Sequence, residues 1–177
     1  MTYETELKNA MALLARDKRV VFIGQNIVYG GSIMSSSLQA IPNSKKIELP
    51  LMEDAQMGMS IGFSLEGYIP VSIYPRMDFL IMAANQLANH LDKIEQMSRG
   101  QFKPKVIIRT AIGSTKPLYP GIQHCSDYTD ALNHMLKNVE VVRLTSSKDV
   151  VPSYQRALEK DGKSTLLIEV ADLYSAI

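Results

Sequence analysis

Cysteine is nearly absent from this chain. Cys125 stands alone, so no internal disulfide can staple the fold, and no Cys/His cluster has the spacing of a metal site. A reducing cytoplasm is the expected setting. Net charge is also scarce: 19 Lys and Arg against 18 Asp and Glu leave +1, which argues against a nucleic-acid grip built on clustered bases. No apolar run approaches the ~18 residues of a membrane span. The stretch from Met1 to Lys8 carries acids where a signal peptide would carry bases and an apolar core. Neither export nor membrane insertion is expected. Internal repeats, low-complexity tracts and linkers are missing as well. So are G-x-G-x-x-G and G-x-x-x-x-G-K-[ST], and a conventional dinucleotide site or P-loop is not expected. Gly30-Gly31 then reads as a tight turn, and Ser35 to Ser37, without a G-x-S-x-G elbow, as helix-start residues rather than nucleophiles.

What is present is a chain of 177 residues, 46% hydrophobic, enough for one well-buried domain over 1–177. Leu7, Ala10, Met11 and Leu14 predict a helix over Tyr3 to Arg16. Apolar runs predict strands at Val20–Gly24, Lys46–Leu49, Ile69–Tyr74, Lys105–Arg109, Val139–Leu144 and Ser164–Val170. Helices are expected at Ser35–Ala40, Glu53–Leu65, Tyr128–Leu136 and Lys148–Lys160, with one long helix capped by Asp78 and running to Met97. Strands alternating with helices, and too apolar to face water, point to an α/β doubly wound domain with a mainly parallel sheet covered on both faces. Ligands of such sheets bind beyond the carboxyl ends of the strands. The candidate rim therefore comprises the loops after Gly24, Leu49, Tyr74, Arg109 and Leu144. The polar connection Ala111–Asp127 is long enough to suggest function.

Several residues on that rim could carry chemistry. In the run Glu48 to Gly62, Glu53 falls where an apolar strand gives way to a small-residue helix. A carboxylate there is expected to be poorly solvated, with a raised pKa suited to sharing a proton with a ligand nitrogen. Alternatively, Glu53 and Asp54 only complement the positive end of a helix dipole. His124, in the long loop, is either a proton shuttle or anion partner, or a solvated histidine. His90 and His134 lie on predicted helices and read as packing or surface residues. Cys125 beside His124 is not read as a thiolate pair, since chain neighbours seldom face each other. Phe79 starts a helix directly after a strand, where its ring either faces a cofactor or joins the core. Arg76 either meets an acidic or phosphorylated substrate or is a surface charge.

Taken in order, Val21-Phe-Ile-Gly-Gln-Asn with Tyr29-Gly-Gly, Leu49-Pro-Leu-Met-Glu-Asp-Ala-Gln-Met-Gly-Met-Ser-Ile-Gly62, Gly67-Tyr-Ile-Pro-Val, Met77-Asp-Phe with Asn85-Gln, Lys93 with Met97-Ser-Arg-Gly-Gln-Phe102, and Gln123-His124 form one pattern. It resembles the pyrimidine-binding domain of thiamine diphosphate enzymes. The nearest likeness is to the beta chain of pyruvate and branched-chain 2-oxo acid dehydrogenases, with transketolase a more distant relative. The resemblance implies that Glu53 hydrogen-bonds the aminopyrimidine and activates the cofactor for decarboxylation of a 2-oxo acid. It places Phe79 on the ring, Leu51 and Pro75 in the same pocket, and His124 near the substrate. The family's Gly-Asp-Gly and downstream Asn, which hold diphosphate and Mg2+, are missing; Lys160-Asp-Gly162 does not supply them. The family's second α/β domain would begin where Ala171–Ile177 stands. The resemblance therefore implies a partner, an alpha-type subunit carrying diphosphate and Mg2+, in a heterotetramer of two alpha-type and two beta-type chains. A transketolase-like two-carbon transferase subunit and a noncatalytic α/β interaction subunit are the alternatives.

Overall fold

The computed structural model describes residues 1–32, 34–115, 119–160 and 162–174. Among them six strands, β1 (Val20–Gly24), β2 (Lys46–Glu48), β3 (Ile69–Tyr74), β4 (Ile107–Ile112), β5 (Glu140–Leu144) and β6 (Thr165–Val170), pair in parallel in the order β2-β1-β3-β4-β6-β5. Alternate side chains leave the sheet on opposite sides. Val20, Phe22, Val71 and Ile107 pack with α1 (Tyr3–Ala15) and α6 (Ser147–Glu159) on one face. Ile108, Leu166 and Ile168 pack on the other with α2 (Glu53–Leu65), α3 (Met77–Leu80) and α5 (Thr129–Met135). Both faces are covered, which is why the strands read as near-continuous apolar runs.

Two predicted elements differ from the structure. The single helix expected from Asp78 to Met97 is broken into α3, a 3-10 turn at Ile81–Ala83, a π turn at Gln86–Leu91 and α4 (Ile94–Met97). Asp78 does not cap it: Arg76 holds the N-cap position, without a side-chain bond, and Asp78 lies in the first turn. Leu80, Ala83, Leu87 and Leu91 stay buried at helical spacing, so the apolar period runs through the change in hydrogen-bond pattern and hides it. Asp92, directly after the π turn, is buried and accepts the backbone N–H groups of Lys137, Asn138 and Val139 at 2.9, 2.7 and 2.9 Å. The other difference is at β4, which runs Ile107–Ile112 rather than from Lys105 to Arg109, so the following loop starts at Gly113. Buried Thr110 and Arg109 made its centre look like an end.

Arg109 belongs to a charged cluster sealed inside the α1/α6 face. Its guanidinium meets both carboxylate oxygens of Glu169, which also accepts the hydroxyls of Tyr154 and Tyr174. Arg109 and Glu169 are fully buried. Burial opposes the guanidinium's charge, but Glu169 and the neighbouring phenols outweigh it and push Arg109 further up. Burial, then the charge of Glu169, pushes the Tyr154 and Tyr174 phenols well up.

Candidate functional site

Chain direction across the sheet reverses between β1 and β3, because β2 follows β1 to one side and β3 lies on the other. The carboxyl edge at such a point is open to a ligand. Gly24 closes β1 there, and a Cβ on it would stand 2.7 Å from the Ile73 carbonyl oxygen, so only glycine lets the two strands approach this closely. Glu48, at the end of β2, accepts the backbone N–H groups of Asn26, Ile27 and Val28 at 2.5, 2.9 and 2.8 Å and folds the loop after β1 over the edge. Asn26 takes the left-handed conformation this requires, with φ 55°.

The α2 helix starts at the same edge. Gln56 is fully buried, and its amide donates to Ser72 Oγ at 3.1 Å and to the Ile73 carbonyl at 3.0 Å, with the Ile23 carbonyl at 3.5 Å. One side chain thus ties the first turn of α2 across the ends of β1 and β3. Tyr74 adds a bond from its hydroxyl to the Glu53 carbonyl at 3.4 Å. Its phenol is pushed up by burial, against a lowering bond with Ser72, and further by the charges of Glu53 and Asp54. In that first turn Asp54 accepts Gln86 Nε2 at 3.2 Å. The Glu53 carboxylate makes no hydrogen bond or ion pair among the described residues. It is half-buried, so this chain withdraws only part of the water that the expected poor solvation would remove.

Pro75, Arg76 and Phe79 occupy the turn from β3 into α3, and all three are half-buried. The loop after β4 returns here. Phe79 and His124 meet edge to face, with ring centroids 5.6 Å apart and planes at 67°. Arg76 Nη1 donates to the Gly113 carbonyl at 2.8 Å and the His124 carbonyl at 2.7 Å, so Arg76 clasps the loop by its backbone. His124 Nδ1 is buried without a partner among the described residues.

Phe79 and His124 are therefore brought together, with Arg76 behind them, while Leu51 remains out on the surface at 76% exposure. Cys125 is half-buried, with Sγ 3.4 Å from the Ser114 carbonyl rather than facing His124. His90 and His134 are exposed. Residues 116–118 of the Ala111–Asp127 connection, Asp161 of Lys160-Asp-Gly162, and Ser175–Ile177 lie outside the described residues. Among the described residues no group of three or more His, Cys, Asp or Glu could hold a metal ion, and no helix is long and apolar enough to cross a membrane. Gln56, Tyr74 and Glu48 were not singled out from the sequence. The one signal for Gln56 was a glutamine on the buried face of an apolar helix, beside Met57, Ser60 and Ile61.

The chain is similar to several known proteins. The beta subunit of the pyruvate dehydrogenase E1 component of Mycoplasma genitalium is 25% identical over 174 residues, 96% of this chain and 52% of that protein. Its counterpart from Gracilaria tenuistipitata var. liui is 24% identical over 165 residues, 92% of this chain and 50% of that one. A chloroplastic beta-3 subunit of Arabidopsis thaliana is 32% identical over 112 residues, 62% of this chain and 27% of that protein. The chain thus spans about half the length of the curated relatives it matches end to end. A solved structure, described as a split-gene transketolase in an inactive beta4 tetramer, superposes with a TM-score of 0.69 at 16% identity, over 96% of this chain and 49% of that one. The family profile "Transketolase, pyrimidine binding domain" matches residues 1–175, so the chain belongs to the transketolase pyrimidine-binding domain family.

Proposed function

We propose that this chain is the pyrimidine-binding, beta-type half of a split thiamine diphosphate enzyme that decarboxylates a 2-oxo acid in the cytoplasm, with the diphosphate and Mg2+ held by an alpha-type partner chain. The observation that carries the reading is the half-buried Glu53 carboxylate at the β1/β3 switch, unpartnered among the described residues and on the same rim as the Phe79–His124 pair. These residues fit one half of the cofactor. A carboxyl group suits an aminopyrimidine nitrogen, and Phe79 and Pro75 offer it apolar surface. Leu51, exposed here, would be covered only once a partner closes over the rim.

When bound, thiamine diphosphate supplies an electron sink for breaking the bond beside a substrate carbonyl. The rest falls to this chain. Gln56 and Tyr74 hold the first turn of α2 so that Glu53 aims along the switch. Closure of the partner excludes water from the Glu53 carboxyl, which then shares its proton with the ring nitrogen instead of with solvent. His124 donates a ring N–H to a substrate oxygen, its ring held by Phe79 and its backbone by Arg76. The curated relatives named as pyruvate dehydrogenase beta subunits favour a 2-oxo acid over a ketose.

Co-purification with the diphosphate-binding chain, followed by 2-oxo acid decarboxylation assays, tests this. Glu53→Gln is expected to lower the rate on the order of 10²- to 10⁴-fold, as loss of one acid–base group does. Unchanged activity would remove Glu53 from the mechanism. Turnover by the purified chain with cofactor and Mg2+ alone would refute the divided site.

A further inference from the structure

The described residues pair no carboxylate with Arg76. Its hydrogen bonds run from Nη1 alone, to the Gly113 and His124 carbonyls at 2.8 and 2.7 Å. Those two bonds use both Nη1 protons. The guanidinium carries five N–H groups in a rigid plane, so three remain: one on Nε and two on Nη2. These two nitrogens form the side-on edge that meets the two oxygens of a carboxylate or phosphate in parallel. Arg76 is half-buried, and a cation drawn partly out of water without a counter-charge favours an anion that arrives to complete it. Two backbone struts also hold the plane still, so little side-chain freedom remains to be lost on binding.

We propose that Arg76 is the anion receptor of the site, taking the carboxylate of a 2-oxo acid side-on through Nε and Nη2 while Nη1 keeps the His124 loop in place. The proposal rests on the cofactor reading and supplies its substrate recognition. The substrate would be gripped at its carboxylate by the residue that also carries the backbone of His124, so the carboxylate and the carbonyl oxygen facing the His124 ring are positioned as one unit. A phosphorylated ketose would offer the same edge a phosphate, and the experiment separates the two.

The full-length chain, labelled with 15N and free of cofactor, is titrated with pyruvate, with inorganic phosphate and with sodium chloride at matched ionic strength, following the Arg76 Nε–H resonance and the amides of Gly113 and His124. Saturable shifts with pyruvate, absent with chloride, are expected. Arg76→Lys keeps the charge but loses the fork, and should weaken binding roughly tenfold to hundredfold, as the loss of one charge-assisted hydrogen bond does. Saturation by phosphate and not by pyruvate would replace the 2-oxo acid with a phosphorylated ketose and overturn the carboxylate assignment. Equal response to chloride, or a pyruvate response that survives both Arg76→Lys and Arg76→Gln, would overturn the receptor altogether. Amide exchange over 121–125 checks that the variants keep the loop folded. In the reconstituted enzyme Arg76→Lys should raise KM for the acid far more than it lowers kcat. Because the titration contains no cofactor, its failure leaves Glu53 untouched, and a silent Glu53→Gln leaves the titration standing.

Discussion

Raising the pH should unfold this protein through its tyrosines. Of the eight, Tyr29, Tyr68, Tyr119 and Tyr128 are exposed, and Tyr3, Tyr74, Tyr154 and Tyr174 are buried. Burial pushes all four buried phenols above their ordinary value of 10.0; the charge of Glu169 reinforces this for Tyr3, Tyr154 and Tyr174, and those of Glu53 and Asp54 for Tyr74. A phenol raised in the folded state keeps its proton while its unfolded counterpart ionises. The folded chain thus binds more protons above the unfolded value, and stability falls as pH rises. Below that value the groups contribute no pH dependence. One such group changes stability by about 1.4 kcal/mol per pH unit, so four together reach about 5.6 kcal/mol per unit above pH ~10. Against a typical stability of about 5–15 kcal/mol, the fold is expected to fail within roughly one to three units of that point. The chain has no tryptophan, so tyrosinate absorbance reads the titration cleanly. The four buried tyrosines should ionise in one steep step that coincides with loss of far-ultraviolet circular dichroism. Ionisation of the four buried phenols near 10.0, with the helical signal intact, would refute the burial of the Arg109–Glu169 cluster and the reasoning built on it.

Two further outcomes follow from packing. Glu169→Gln leaves Arg109 fully buried without its counter-charge and should cost about 3–5 kcal/mol in urea unfolding, whereas replacing both partners with apolar residues of matching volume should cost much less. Gly24→Ala forces a Cβ to 2.7 Å from the Ile73 carbonyl and should cost about 1–3 kcal/mol while weakening cofactor binding in the assembled enzyme, measured by thermal unfolding and by cofactor titration.

Local pattern carried much of the architecture. The bounds of α2 and β3 are legible to the residue, because an acidic first turn, an apolar face and a glycine stop act within a few positions of each other. The break in the helix after Phe79 was not legible, because a π turn keeps the buried stripe that defines a helix in sequence. At the site, Glu53, Phe79, His124 and Arg76 were visible as residue types in suggestive places, but the contacts that join them were not. The Arg76 bonds span 37 and 48 residues, the Gln56 bonds 16 to 33, and the Arg109–Glu169 pair 60, so no local spacing encodes them.

By itself, then, the sequence determined that the chain alternates strands with helices on a parallel sheet, whose carboxyl edge is where a ligand is expected, since apolar periodicity and turn residues act over short range. Only the tertiary structure decided which polar groups are spoken for. Among the described residues it showed the Nη1 side of Arg76 taken by two carbonyls and its other edge left over, Asp54 engaged by Gln86, and Glu53 left without a partner. Hydrogen-bond capacity is used up across the fold and not along the chain, so what remains for a ligand is known only when every distant partner has been placed.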